Sequence, residues 1–74
     1  MGEKVWEKEQ QGRVPQDLVG GRLAGSDPSG YPVGLFPGDE VVYVGRTDSG
    51  HLRFERKGRF VDLLPGNADC LEQI

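Results

Sequence analysis

The chain has 74 residues, 35% hydrophobic and 8% aromatic, with a single cysteine and a formal net charge of −3. A chain this short forms one domain, buries only about 60% of its unfolded surface and reaches roughly 3 to 5 kcal/mol of stability unless a partner covers one face. One cysteine rules out a disulfide framework or a thiolate metal cluster, twelve glycines and five prolines argue against long helices, and the acidic balance argues against nonspecific nucleic-acid binding by the whole surface.

Residues 1 to 16 are dense in Glu, Lys and Gln, with Val5 and Trp6 the only large apolar side chains before Val14. Such a stretch buries too little surface to offset its ordering entropy, so a flexible charged tail is expected there, followed by one domain over residues 17 to 74. Trp6 is the exception within it, since a Trp in a polar segment serves as an anchor on its own domain or on a partner. No apolar run approaches the roughly 18 residues of a membrane helix, and no secretory-type apolar core opens the chain, so a cytoplasmic protein without a membrane association is expected.

Asp17 to Ala24 supplies a first short strand, with Gly20-Gly21 marking a kink or bulge, and Gly25 to Pro32 reads as a polar loop. From Val33 to Leu71 apolar runs alternate with turn signals at short intervals, the signature of a small all-β barrel. Val41 to Val44 is a continuous β-branched and aromatic run, expected to be covered on both faces. His51 to Glu55 alternates strictly, placing Leu52 and Phe54 inward, and Phe60 to Leu64 places Val61 and Leu63 on one face with Asp62 on the other. Pro65-Gly66-Asn67 ends the sheet, and Asp69 to Glu72 fits a capping pattern for a short C-terminal helical turn, with Leu71 and Ile74 closing one end of the barrel.

Taken together, Val33-Gly-Leu35 before Gly38-Asp39-Glu40-Val41, the acidic-Gly turn at Asp48 to Gly50, the Lys57-Gly58 hairpin and Pro65-Gly66-Asn67 resemble the order of signals in a Src-homology-3-type barrel. The resemblance covers about 40 residues and implies a five-stranded barrel with a short helical turn near its C-terminus. It does not extend to the aromatic groove with which such domains bind proline-rich peptides. The groove positions fall on His51 or Leu52, on Ala68 and near Gly21 to Gly25, none of them aromatic.

Residues 46 to 59 hold five cations against Asp48 and Glu55, a local +3 in an acidic chain. Arg46, His51 and Arg53 are expected on one exposed face of a hairpin, with Arg56, Lys57 and Arg59 at its tip. Such a surface suits the acidic face of a protein or the phosphates of a nucleic acid, and equally protects an edge strand from aggregation. Base stacking would draw on Trp6, Tyr31 or Tyr43. His51 and Cys70 are too far apart in sequence to suggest a nucleophile pair, adjacent Asp39 and Glu40 point to opposite faces, and the glycine-rich segments lack a phosphate-loop lysine.

The expectation is therefore a noncatalytic interaction module or small accessory subunit that uses no cofactor or metal. It would dock on a larger protein with an acidic surface through Tyr31, Arg46, His51, Arg53, Arg56, Lys57 and Arg59. A nucleic-acid-binding barrel using the basic hairpin 46 to 59 is the alternative.

Overall fold

A computed structural model describes residues 4 to 74 as a single antiparallel sheet with one short helix. The elements run β1 (Gln11–Arg13), β2 (Leu23–Ser26), β3 (Pro32–Leu35), β4 (Glu40–Arg46), β5 (Leu52–Arg56), β6 (Arg59–Leu63), α1 (Pro65–Ala68) and β7 (Glu72–Gln73). Their order across the sheet is β3-β2-β6-β5-β4-β1-β7, with β3 and β7 as edges. The sheet thus has seven strands rather than the expected five, and it does not close into a barrel. Both strands that sequence reasoning missed are short and polar. Gln11-Gly12-Arg13 and Glu72-Gln73 show no apolar alternation, and they are held by backbone pairing of β1 with β4 and β7.

The core gathers the alternating positions that the sequence marks. Leu52 and Phe54 of β5, Val61 and Leu63 of β6, and Val41 and Tyr43 of β4 are buried, joined by Val14, Leu23, Leu35, Ala68 and Leu71. Val42 and Val44 are half-buried, so the β4 run is at least partly covered on both faces. The strand expected over Asp17 to Ala24 is β2 and begins only at Leu23, because Gly20 and Gly21 both take left-handed φ values, 89° and 71°, which no strand accommodates. Gly25 lies inside β2, where a Cβ would come within 2.6 Å of Leu63 Cδ2.

The helical turn falls at Pro65–Ala68 instead of Asp69 to Glu72. Proline suits the first helical position, where its fixed φ is already correct and its missing N–H would have no intrahelical partner. Asp69 caps nothing. Its Oδ1 accepts the backbone N–H of Lys4 at 2.9 Å, and the chain proceeds into β7, leaving Leu71 buried and Ile74 mostly exposed. Asn67 Nδ2 donates to the Ala24 carbonyl at 2.9 Å, satisfying a backbone acceptor where β2, paired with β6 only at Ser26 and Asp62, leaves its neighbour.

The expected tail is also revised. Residues 1 to 3 lie outside the described residues, but residues 4 to 16 are part of the fold. Lys4 Nζ donates to the Leu71 carbonyl and Gln73 Nε2 to the Val5 carbonyl, both at 2.6 Å, so a strap at Lys4 to Trp6 runs beside β7. A tight turn follows, closed by the Gln10 N–H on the Glu7 carbonyl at 2.9 Å. The strap delivers Trp6 to the core, where it is 9% exposed. Its ring meets Phe54 edge-on at 5.0 Å between centroids and lies 6.1 Å from Tyr43, and Tyr43 meets Phe54 at 5.3 Å. Aromatic contacts of this geometry add to the apolar area they bury. One Trp therefore supplies the order that charged neighbours could not.

Gly12 makes room for this ring. A Cβ there would stand 2.8 Å from Trp6 Cη2, closer than carbon atoms pack. Trp6→Ala is expected to cost about 3 to 5 kcal/mol as a cavity, and Gly12→Ala about 1 to 3 kcal/mol as overpacking. Because the two changes relieve each other, the double variant should cost clearly less than the sum of the single ones in a denaturant titration; simple additivity would contradict the contact.

Candidate functional site

Strand register decides which of the expected binding residues can act together. Along β5 and β6 the paired residues are Leu52↔Leu63, Arg53↔Asp62, Phe54↔Val61, Glu55↔Phe60 and Arg56↔Arg59. Arg53 therefore stands on the outer face, whereas Arg56 and Arg59 share the parity of the buried residues and sit at the rim. Arg46 pairs with Leu52 at the opposite end of the strand, beside His51. Five residue steps separate His51 from Arg56, roughly 17 Å of extended chain. Lys57 occupies the β5–β6 turn with a left-handed φ of 52°, and Tyr31, 73% exposed, belongs to a different hairpin. The structure thus brings Arg56, Lys57 and Arg59 together and, separately, Arg46 with His51 and, along one cleft, with Arg53; it does not make one patch of all seven.

Two of these cations hold the fold. Arg53 Nε and Nη2 donate to the two Asp62 carboxylate oxygens at 2.7 and 2.9 Å, and the guanidinium lies 5.4 Å from the Phe60 ring centroid. The hydrogen bond to Asp62 raises the Arg53 pKa above its ordinary value. Asp62 is itself 9% exposed, so this bidentate pair keeps a nearly buried carboxylate satisfied. Arg56 Nη1 reaches Asp39 Oδ2 at 2.9 Å, and the same oxygen accepts the Phe36 N–H at 2.9 Å. Asp39 thereby closes the turn begun at Pro37-Gly38, as its sequence position suggests, and Arg56 fastens that turn to β5. Charge reversal at Arg53 or Arg56 would set carboxylate against carboxylate and test stability rather than binding.

His51 is engaged locally. Its Nδ1 lies 2.9 Å from Ser49 Oγ, and its backbone N–H donates to Thr47 Oγ1 at 3.1 Å. Tyr43 and Trp6, two of the three rings considered for stacking, are buried. Cys70 is exposed and unpaired. What stands outward is Lys57 and Arg59, with no partner among the described residues, together with the rings of Tyr31, Phe36 and Phe60 at 73%, 53% and 43% exposure. Sequence reasoning passed over Phe36 and Phe60 as surface residues, because each lies next to a strand run that reads as core.

Among the described residues no cluster of three or more His, Cys, Asp or Glu is placed to hold a metal ion, and no helix is long and apolar enough to cross a membrane. Comparison with known proteins finds no matching family model, no matching curated protein and no matching solved structure.

The backbone at Tyr31 is organised by one carboxylate. Asp27 Oδ1 accepts the Ser29 hydroxyl at 2.8 Å, the Ser29 N–H at 3.0 Å and the Tyr31 N–H at 2.8 Å. The Ser29 hydroxyl, followed by the Tyr31 amide, holds the Asp27 carboxyl below its ordinary pKa. A depressed acid stabilises the fold above its unfolded pKa, and the effect disappears as pH falls through the lower folded value. In an NMR titration the Ser29 and Tyr31 amides should move with that depressed transition, and Ser29→Ala should bring it back toward the ordinary range; an Asp27 titrating normally in the wild type would contradict this.

Proposed function

We propose that this chain is a noncatalytic protein-interaction module, or a small accessory subunit, that docks on a larger protein with an acidic surface. The observation carrying this reading is that three of the chain's six aromatic side chains, Tyr31, Phe36 and Phe60, lie outside the core of a domain that can spare little apolar surface. Aromatic anchors dominate binding energy at interfaces, and exposed Lys57 and Arg59 add charge that steers an acidic partner. The chain is a small β frame resembling the Src-homology-3 type, without that family's aromatic peptide groove: Leu52 and Ala68, at groove positions, are buried apolar residues. A reducing compartment such as the cytoplasm suits its lone exposed thiol.

The nucleic-acid reading would use the same Lys57 and Arg59, with Tyr31 alone of the three rings first considered for stacking left exposed. One experiment separates the two. Tagged chain and a Tyr31→Ala/Lys57→Glu/Arg59→Glu variant are incubated with native lysate, with and without nuclease. The proposal expects a nuclease-resistant protein partner on the wild type and at least about tenfold less on a variant of unchanged circular dichroism. Equal capture by both, or capture abolished by nuclease, would overturn it.

A further inference from the structure

The pairing of β4 with β5 is interrupted. Tyr43 faces Phe54 and Gly45 faces Arg53, which leaves Val44 as an extra residue between them. Such a bulge bends its strand and re-aims the side chains around it. Here it opens a cleft of about 350 Å³ on the sheet surface, lined by Lys8, Val44, Gly45, Arg46, Thr47 and Arg53. Three of the six are cations, and none of the lining residues described is a carboxylate, in a chain that is acidic as a whole. Gly45 leaves the floor open, since a Cβ there would meet no atom within 4 Å.

We propose that this cleft is an oxyanion site that takes a phosphate group. Arg53 is its fixed element. Asp62 occupies Nε and Nη2 of the guanidinium and Phe60 lies against it, so Nη1, unused by Asp62, is held in place before any ligand arrives. A cation already immobilised loses little entropy on binding. Lys8 is the adaptable element, exposed and without a partner among the described residues, and able to swing its ammonium onto a bound oxygen. Arg46 also lines the wall, but it is engaged within the fold, donating to the Gly50 carbonyl at 3.4 Å, and the site rests on Arg53 and Lys8. Phosphate, with at least three acceptor oxygens, can meet the fixed guanidinium and the mobile ammonium at once, which the two oxygens of a carboxylate do less completely. Neither Lys8 nor Gly45 belongs to the docking surface proposed above, so the two readings stand or fall separately.

The test is a titration of 15N-labelled chain with inorganic phosphate at constant ionic strength, with chloride as the control. Saturable shifts are expected at the amides of Gly45, Arg46 and Thr47. Lys8→Ala should weaken the apparent affinity by about fivefold or more, the loss of one charge-assisted contact. Gly45→Glu, which enters open space at a position without left-handed φ, should abolish binding while leaving the remaining spectrum in place. Lys8→Glu, at an exposed position, decides the question if Gly45→Glu does not fold. A parallel titration with O-phosphoserine separates sources: tighter binding than inorganic phosphate assigns a phosphate carried on a larger molecule, weaker binding assigns the free anion. Shifts no larger than those of chloride, or equal affinity in the wild type and the variants, would overturn the proposal.

Discussion

The contact of the Trp6 ring with Phe54 and Tyr43, over the bare backbone of Gly12, is the constraint on which the rest of the structure depends. A 74-residue chain has few large side chains to bury, and an open sheet leaves its flanks without cover. Trp6 supplies the largest apolar side chain in the molecule from a segment made mostly of charged and amide residues. To reach its place, the chain must run as a strap past β7 and reverse at Glu7 to Gln10, which aligns Gln11 to Arg13 for pairing with β4. The position of β7 then follows, because it pairs with β1 alone. Two strands and one flank of the sheet thus depend on a single aromatic anchor. Its indole N–H has no hydrogen-bond partner among the described residues, a cost of about 1 to 3 kcal/mol that the burial of the ring must exceed.

Charge is divided by a similar logic. The outer face cannot be made of apolar residues in a protein this small, so it uses polar side chains that satisfy one another. Arg53 with Asp62 ties β5 to β6, and Arg56 with Asp39 ties β5 to the turn before β4. These pairs are half-screened from solvent and geometrically defined, unlike the 3.6 Å contact of Arg13 with Glu72 between two exposed side chains, which contributes little. Lys57 and Arg59 in the β5–β6 turn, and Lys8 beside the β4 bulge, have no partner among the described residues. The two readings proposed above draw on these, and Arg53 serves both the fold and the cleft.

How much of this was legible depends on whether the signal was local. The strict alternation of Leu52, Arg53, Phe54 and Glu55, and of Val61, Asp62 and Leu63, was readable because a two-residue period with one apolar face has few other solutions. The turns at Asp48 to Gly50 and Lys57-Gly58 were readable for the same reason. Strands β1 and β7 were not, since their residues are polar and their pairing is dictated by Trp6 and by β4 from far along the chain. The capping pattern at Asp69 points four residues beyond the actual helical turn, whose local signal is the proline at its first position. The basic segment was legible as a composition but not as a surface: register across β5 and β6 puts Arg53 and Arg56 on opposite faces and sets Arg53 against Asp62, while the turn before β4 brings Asp39 to Arg56. Lys8, which joins Arg46 and Arg53 at the bulge, lies about 40 residues away in sequence, and no local pattern connects them.

The most direct measurement is the unfolding of the chain followed at once by the fluorescence of its single Trp and by far-ultraviolet circular dichroism. If Trp6 is the anchor, its emission should be that of a buried indole, shielded from acrylamide, and should be lost at the same denaturant midpoint as the sheet. A solvent-exposed emission in the native state, or a Trp transition that precedes the loss of the sheet, would contradict the account.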